Sequence, residues 1–96
     1  MLQLQPKINK LLKALETKGE IYLVNNEQFY SDNLGKVCTV IKLYHLISAE
    51  EYNEKYPNNK VDVNKYDKVK DEVFKTYKKQ DLLLYLVELY KGVNHG

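Results

Sequence analysis

The chain of 96 residues has no arginine and no tryptophan, and it has only one cysteine. All 15 of its basic residues are therefore lysines. Arginine makes most of the bidentate contacts to guanine and phosphate, so its absence argues against sequence-specific reading of DNA. Lysine can still bind phosphate without sequence preference. Because a single cysteine excludes an internal disulfide bond, we expect a reducing, cytoplasmic environment.

Long apolar runs are also lacking. The longest candidate, DLLLYLVELY at 81–90, is about half of the ~18–20 residues that a membrane-spanning helix needs. The N-terminus lacks the apolar core and the small-residue cleavage site of a signal peptide. We therefore expect a soluble protein with no membrane partner. The length predicts a single domain over 1–96, with 92–96 as a disordered tail.

Residues that carry catalysis or bind metals are few and scattered. The soft metal ligands are Cys38, His45 and His95, whereas a structural zinc site needs four ligands. Cys38 and His45 lie seven positions apart, so on a regular strand they face opposite sides. The pairs Glu50-Glu51 and Asp71-Glu72 lie in charge-mixed segments, which is typical of a solvated face. We predict a protein that is not an enzyme and has no cofactor and no metal.

The first half of the chain predicts a helix followed by a β-hairpin. Apolar residues at 8, 11, 12 and 15 form one stripe of a helix over 6–18, and Gly19 suits its end. The dense β-branched and aromatic segments 20–31 and 36–47 flank Asp-Asn-Leu-Gly at 32–35, which predicts two antiparallel strands and a turn. Asn25-Asn26 suggests a bend or bulge in the first strand.

The second of these strands is apolar on both faces. Val37, Thr39, Ile41 and Leu43 alternate with Cys38, Val40, Lys42 and Tyr44. Such a pattern is typical of a central strand that is covered on both sides.

The second half contains a capped short helix and a long apolar helix. Ser48 and Glu51 form a capping box for a helix over 49–56. Residues 61–80 fit either a helix or a short strand at 71–76, and we favour the strand, with Thr76 as the N-cap of the final helix. This helix, about 77–91, is apolar nearly all round and is expected to end at Gly92. Such a helix is either buried or covered by something outside the chain.

Together these elements predict one α+β domain. We expect an N-terminal helix, a two- or three-stranded antiparallel sheet, a short connecting helix, and a long C-terminal helix packed on the sheet.

The abundance of tyrosine indicates protein binding. Nine tyrosines exceed what a core of this size can hold, and tyrosine is favoured at interfaces. We predict a protein partner from a host or a phage, and the apolar segment 82–90 allows a homodimer through the C-terminal helix. The candidate contact residues are Tyr52, Tyr56, Tyr66, Tyr77 and Tyr90.

Nucleic-acid binding is the alternative. The segment KYDKVKDEVFKTYKK interleaves lysines with aromatic rings, the two side-chain types that bind single strands. Acidic residues interrupt the run, which a dedicated phosphate track would avoid. The candidate residues are Lys65, Lys68, Lys75, Lys78 and Lys79.

Three segments resemble small proteins encoded by phages and prophages of low-GC Gram-positive bacteria. They are KINKLLKALETKG, EQFYSDNLGKVCTVIKL and EVFKTYKKQDLLLYLVELYKG. The resemblance rests on the order and style of these segments and transfers no functional residue. It implies either stoichiometric binding to a host protein, such as a defence nuclease, or a role in phage DNA metabolism.

Overall fold

The computed structural model describes the backbone of residues 4–95 and the side chains of residues 4–93. Its elements are α1 (Leu4–Thr17), β1 (Tyr22–Ser31), β2 (Lys36–Ser48), α2 (Ala49–Lys55), β3 (Lys68–Thr76) and α3 (Lys79–His95). The three strands form one antiparallel sheet in the order β1-β2-β3. The predicted α+β fold is confirmed, with three strands rather than two.

Local signals set the ends of the first two helices. After α1, the amide of Glu20 donates to the carbonyl of Leu15 and the amide of Gly19 donates to that of Glu16, which is the Schellman pattern. Gly19 has φ +90°, as that pattern requires. Before α2, the Ser48 hydroxyl accepts from the Glu51 amide at 3.1 Å, so the predicted cap is confirmed. No helix in the described part of the chain is both long and apolar enough to cross a membrane.

One face of the sheet, here called the helix face, carries the core. Cross-strand partners share a face, which puts Val24, Leu43 and Phe74 together. Leu43 is fully buried and packs in one cluster with side chains of α1 and α3. The buried members of this cluster are Ile8, Leu15, Ile41, Leu43, Leu82 and Leu86.

The prediction that β2 is covered on both sides is wrong for the opposite face of the sheet, here called the open face. β2 is indeed the central strand, but its even-numbered residues face charged and aromatic neighbours on β1 and β3. Lys42 there contacts Glu27 at 2.7 Å and Glu72 at 3.7 Å. Val40, on the same face, is only 6% exposed.

Two predicted details of the strands are wrong. Asn25 and Asn26 pair in unbroken register with Lys42 and Ile41, so β1 has no bulge there. The irregularity lies instead between β2 and β3, where the register shifts between Leu43 and Tyr44. The third strand was predicted at 71–76 and in fact begins at Lys68.

The final helix begins and ends later than predicted. α3 starts at Lys79, because the chain first makes a turn in which the Thr76 hydroxyl accepts from the Lys78 amide and donates to Asp81. Thr76 is therefore the end of β3 and not the N-cap. Gly92 does not stop the helix, which continues through the predicted tail as far as His95. Gly96 lies outside the described residues.

Candidate protein-binding surface

β1 and β2 extend beyond the third strand as a two-stranded arm. Their pairing runs from Tyr22–His45 to Ser31–Lys36. β3 pairs with β2 only from Ile41 to Ser48. Among residues 4–95, no third strand therefore lies beside residues 27–40, here called the hairpin arm.

The turn at the tip of the arm is built from short-range hydrogen bonds. The Gly35 amide donates to the Ser31 carbonyl at 2.7 Å, and the Leu34 amide donates to the Ser31 hydroxyl at 3.3 Å. Gly35 has φ +63°, a conformation that favours glycine. The prediction that Asp32 and Asn33 serve a turn is confirmed, since both lie within it.

The hairpin arm exposes a concentration of large apolar and aromatic side chains. Tyr30, Leu34, Val37 and Tyr77 are each 61–65% exposed, and Phe29 is 40% exposed. The rings of Phe29 and Tyr77 pack against each other with centroids 6.3 Å apart. Of these residues, Phe29, Leu34, Val37 and Tyr77 line one pocket, and apolar groups that are exposed together, rather than scattered singly, mark interaction sites.

A notch lies where β3 ends and β2 continues with only β1 beside it. It has a volume of about 490 Å³. Apolar side chains dominate its wall, with Lys36 as the one charged residue. The residues that line it are Phe29, Ser31, Leu34, Lys36, Val37, Cys38, Thr39 and Tyr77.

In the part of the chain that the structure describes, the backbone of β2 at this notch has no strand paired with it on the side away from β1. The Leu46 amide donates to the Ile21 carbonyl, and the N–H and C=O groups of successive residues alternate in direction. The backbone N–H and C=O groups of even-numbered residues of β2 therefore point toward β1, and those of odd-numbered residues point away from it. Val37 and Thr39 direct their N–H and C=O groups to the side where β3 has already ended.

The tyrosines that the sequence singled out do not form one surface. Tyr52 and Tyr56 pack on each other on α2 with centroids 4.8 Å apart. Tyr66 is 47% exposed in the segment between α2 and β3, and Tyr77 borders the notch. Tyr90 lies on α3 beside a groove of about 480 Å³ between α1 and α3. Among these five, only Tyr77 borders the notch beside the hairpin arm.

A homodimer through 82–90 was predicted, but part of the apolar surface that it would use is buried in the core of the same chain. Leu82 and Leu86 are at most 1% exposed, and the Tyr85 ring stacks on Phe74 at 4.3 Å. Leu84 is the apolar member of this segment that stays largely exposed, at 57%.

Asp71 is a buried polar residue, contrary to the prediction that it lies on a solvated face. It is 2% exposed. Its carboxylate accepts from the Tyr56 hydroxyl at 2.5 Å and from the Lys55 ammonium. Burial would raise the pKa of Asp71, but these two hydrogen bonds outweigh it and lower the pKa. The cluster ties α2 to β3, so Tyr56 has a structural partner.

His45 and Cys38 lie on opposite faces of β2, as predicted. His45 stacks on Tyr22 with centroids 4.3 Å apart, and its Nε2 lies 2.8 Å from Glu20 Oε2. Partial burial and the Glu20 carboxylate raise the pKa of Tyr22. Within residues 4–93, no group of three or more His, Cys, Asp or Glu side chains is placed to hold a metal ion.

The predicted nucleic-acid residues lie on several elements. The side chains of Lys68 and Lys75 lie on the open face of the sheet. Lys65 lies in the turn before β3, and Lys78 and Lys79 are at the start of α3. The open face carries five lysines and two glutamates, a balance of +3, whereas the whole chain has +2. Its lysines are Lys36, Lys42, Lys68, Lys70 and Lys75.

Comparisons of the chain with protein-family models, with curated proteins and with solved structures found no significant match.

Proposed function

We propose that this chain is a non-enzymatic accessory protein that acts by binding another protein through the notch of the hairpin arm. The observation that carries the proposal is the unpaired backbone of Val37 and Thr39, surrounded by exposed apolar side chains. An extended segment of a partner can pair with such an edge, while neighbouring pockets select its side chains.

The resemblance to small phage and prophage proteins suggests where the partner would be found. We propose a cytoplasmic host factor, such as a defence nuclease, as the target. Stoichiometric binding of this kind needs an exposed recognition surface and no catalytic group, which fits the hairpin arm.

The test is capture of partners from the lysate of a low-GC Gram-positive host, treated with nuclease, by the tagged full chain. We expect a stoichiometric protein that Val37→Glu no longer captures. Leu84→Glu is the matched control, because it places the same charge on an equally exposed apolar residue of α3. Capture that survives Val37→Glu, or that Leu84→Glu abolishes equally, would reject the notch as the binding site.

The open face of the sheet favours nucleic-acid binding as the second candidate. Its lysine excess lies beside the exposed rings of Phe29 and Tyr77, and single strands bind to combinations of cationic and stacking groups. This function predicts affinity for a single-stranded oligonucleotide that falls steeply with salt and is weakened by Lys75→Glu. Lys7→Glu, on α1, is the control with equal charge. Absence of binding at low salt would reject this candidate.

A further inference from the structure

The outer edge of β1 is the less protected of the two edges of the sheet. The other edge strand, β3, carries Lys68, Lys70 and Lys75 and a bulge opposite the Leu43–Tyr44 step. Lysines and bulges are devices that keep an edge strand from pairing with another chain. β1, with the sequence YLVNNEQFYS, has no lysine, no proline and no bulge. The contrast indicates that the edge of β1 is available for pairing.

Alternate residues of β1 present their backbone groups to this open edge. Because the Ile21 carbonyl accepts a hydrogen bond from β2, the N–H and C=O groups of odd-numbered residues of β1 point toward β2. Those of the even-numbered residues from Tyr22 to Tyr30 point outward, away from the sheet. Within the described part of the chain, no backbone or side-chain group forms a hydrogen bond with these outward N–H and C=O groups.

We propose that β1 pairs antiparallel with β1 of a second copy of this chain, around a two-fold axis at Asn26. In this register Leu23, which is 42% exposed, lies opposite Phe29 of the second copy, which is 40% exposed. Both side chains lie on the open face. Asn25 lies opposite Glu27, so no like charges meet. The strand is thus complementary to itself, as a two-fold interface requires.

The helix face offers a receptor for the side chains that the second copy brings. A cleft of about 310 Å³ lies between α1 and β1 and is lined in part by Asn9, Leu12, Lys13 and Tyr22. The proposed register puts Tyr30 of the second copy opposite Tyr22, at this cleft. Tyr30 is 63% exposed in the single chain, so pairing would bury a ring that otherwise faces water.

The surface area of the chain is consistent with a second copy. The accessible surface is 7171 Å², whereas a monomer of this mass usually exposes roughly 5,700 Å². A stable interface buries about 800 Å² on each partner, which is less than this excess. The sheet would then have six strands, with the open faces of both copies on the same side.

The test is the association state of the full chain by analytical ultracentrifugation over a range of concentrations. We expect a dimer, and we expect Asn26→Lys to raise its dissociation constant roughly tenfold or more, since two lysines would meet at the axis. Asn33→Lys adds the same charge in the turn, outside the pairing, and should remain dimeric. Circular dichroism of each variant checks that it is folded.

A mixing experiment makes the register itself testable. Asn26→Lys and Asn26→Asp should each be largely monomeric alone, and together they should form a heterodimer, because opposite charges then meet at the axis. A monomeric wild-type chain, or a dimer that Asn26→Lys leaves intact, would overturn the proposal. The result is separate from the proposed function, because Val37 lies on β2, away from the outer edge of β1, and Val37→Glu should therefore leave the dimer unchanged. Phe29 borders both the notch and this edge, so it is not used to tell the two proposals apart.

Discussion

Replacing Asp71 by asparagine should destabilise the protein at neutral pH and have little effect in strong acid. The Asp71 carboxylate is buried and accepts two hydrogen bonds, from Tyr56 and from Lys55. Asparagine has nearly the same shape and can still accept from the tyrosine. The substitution therefore removes the charge without opening a cavity.

The magnitude follows from the exposure of the two partners. A hydrogen bond to a charged group contributes about 1.5–3 kcal/mol, roughly 1 kcal/mol more than a neutral one. The Lys55 side chain is 47% exposed, so water screens its ion pair, which is then worth about 0–1 kcal/mol. We expect Asp71→Asn to lower the free energy of unfolding by about 1–2 kcal/mol at pH 7.

The sign of the pH dependence follows from the lowered pKa of Asp71 in the folded state. Folding favours the ionised carboxylate, so its contribution is fully present above the ordinary pKa of 3.8. It is lost as the pH falls through the lower folded-state pKa. The difference in stability between the wild type and Asp71→Asn should therefore shrink toward zero in strong acid.

Urea unfolding of both proteins at a series of pH values measures this difference. Glu88→Gln is the control, because Glu88 is a well-exposed carboxylate on α3 and its replacement should change stability little at any pH. The reasoning would be refuted by a difference that does not depend on pH, or by an Asp71→Asn protein as stable as the wild type at pH 7.

Three further predictions concern stability. Leu43→Ala should lower the free energy of unfolding by about 2–5 kcal/mol, because Leu43 is fully buried in the core. Leu34→Ala, at the exposed tip of the hairpin, is the control and should change this free energy little. If urea unfolding shows comparable losses for both variants, the described core is contradicted. Gly92→Ala should raise the melting temperature, since Gly92 lies inside α3 with space for a Cβ and alanine favours a helix by about 1 kcal/mol. Gly35→Ala should lower it, since Gly35 has φ +63°.

The elements that local sequence signals define were the most predictable. The apolar stripe of α1 with its glycine stop, the hairpin around residues 32–35 and the cap at Ser48 each depend on residues close together in the chain. Such signals act over a few residues and do not require knowledge of the rest of the fold. The α+β class followed from their order.

Most of the details that differ from the prediction depend on contacts between distant segments. The ends of β3 depend on its pairing with β2, and no short-range pattern marks them. The burial of Asp71 depends on α2 folding back over the sheet to bring Lys55 and Tyr56 to it. The final helix passes through Gly92 although glycine disfavours helix interiors, so glycine alone did not mark the end.

The sequence by itself determined the fold class and the central hairpin. Composition and short-range periodicity are enough for these conclusions. Only the tertiary structure decided which aromatic and apolar residues are exposed together. It also showed that β3 stops short of the hairpin arm and that β1 keeps an unprotected edge. Exposure and unpaired backbone groups are properties of the assembled sheet, because they depend on where each strand ends relative to its neighbour.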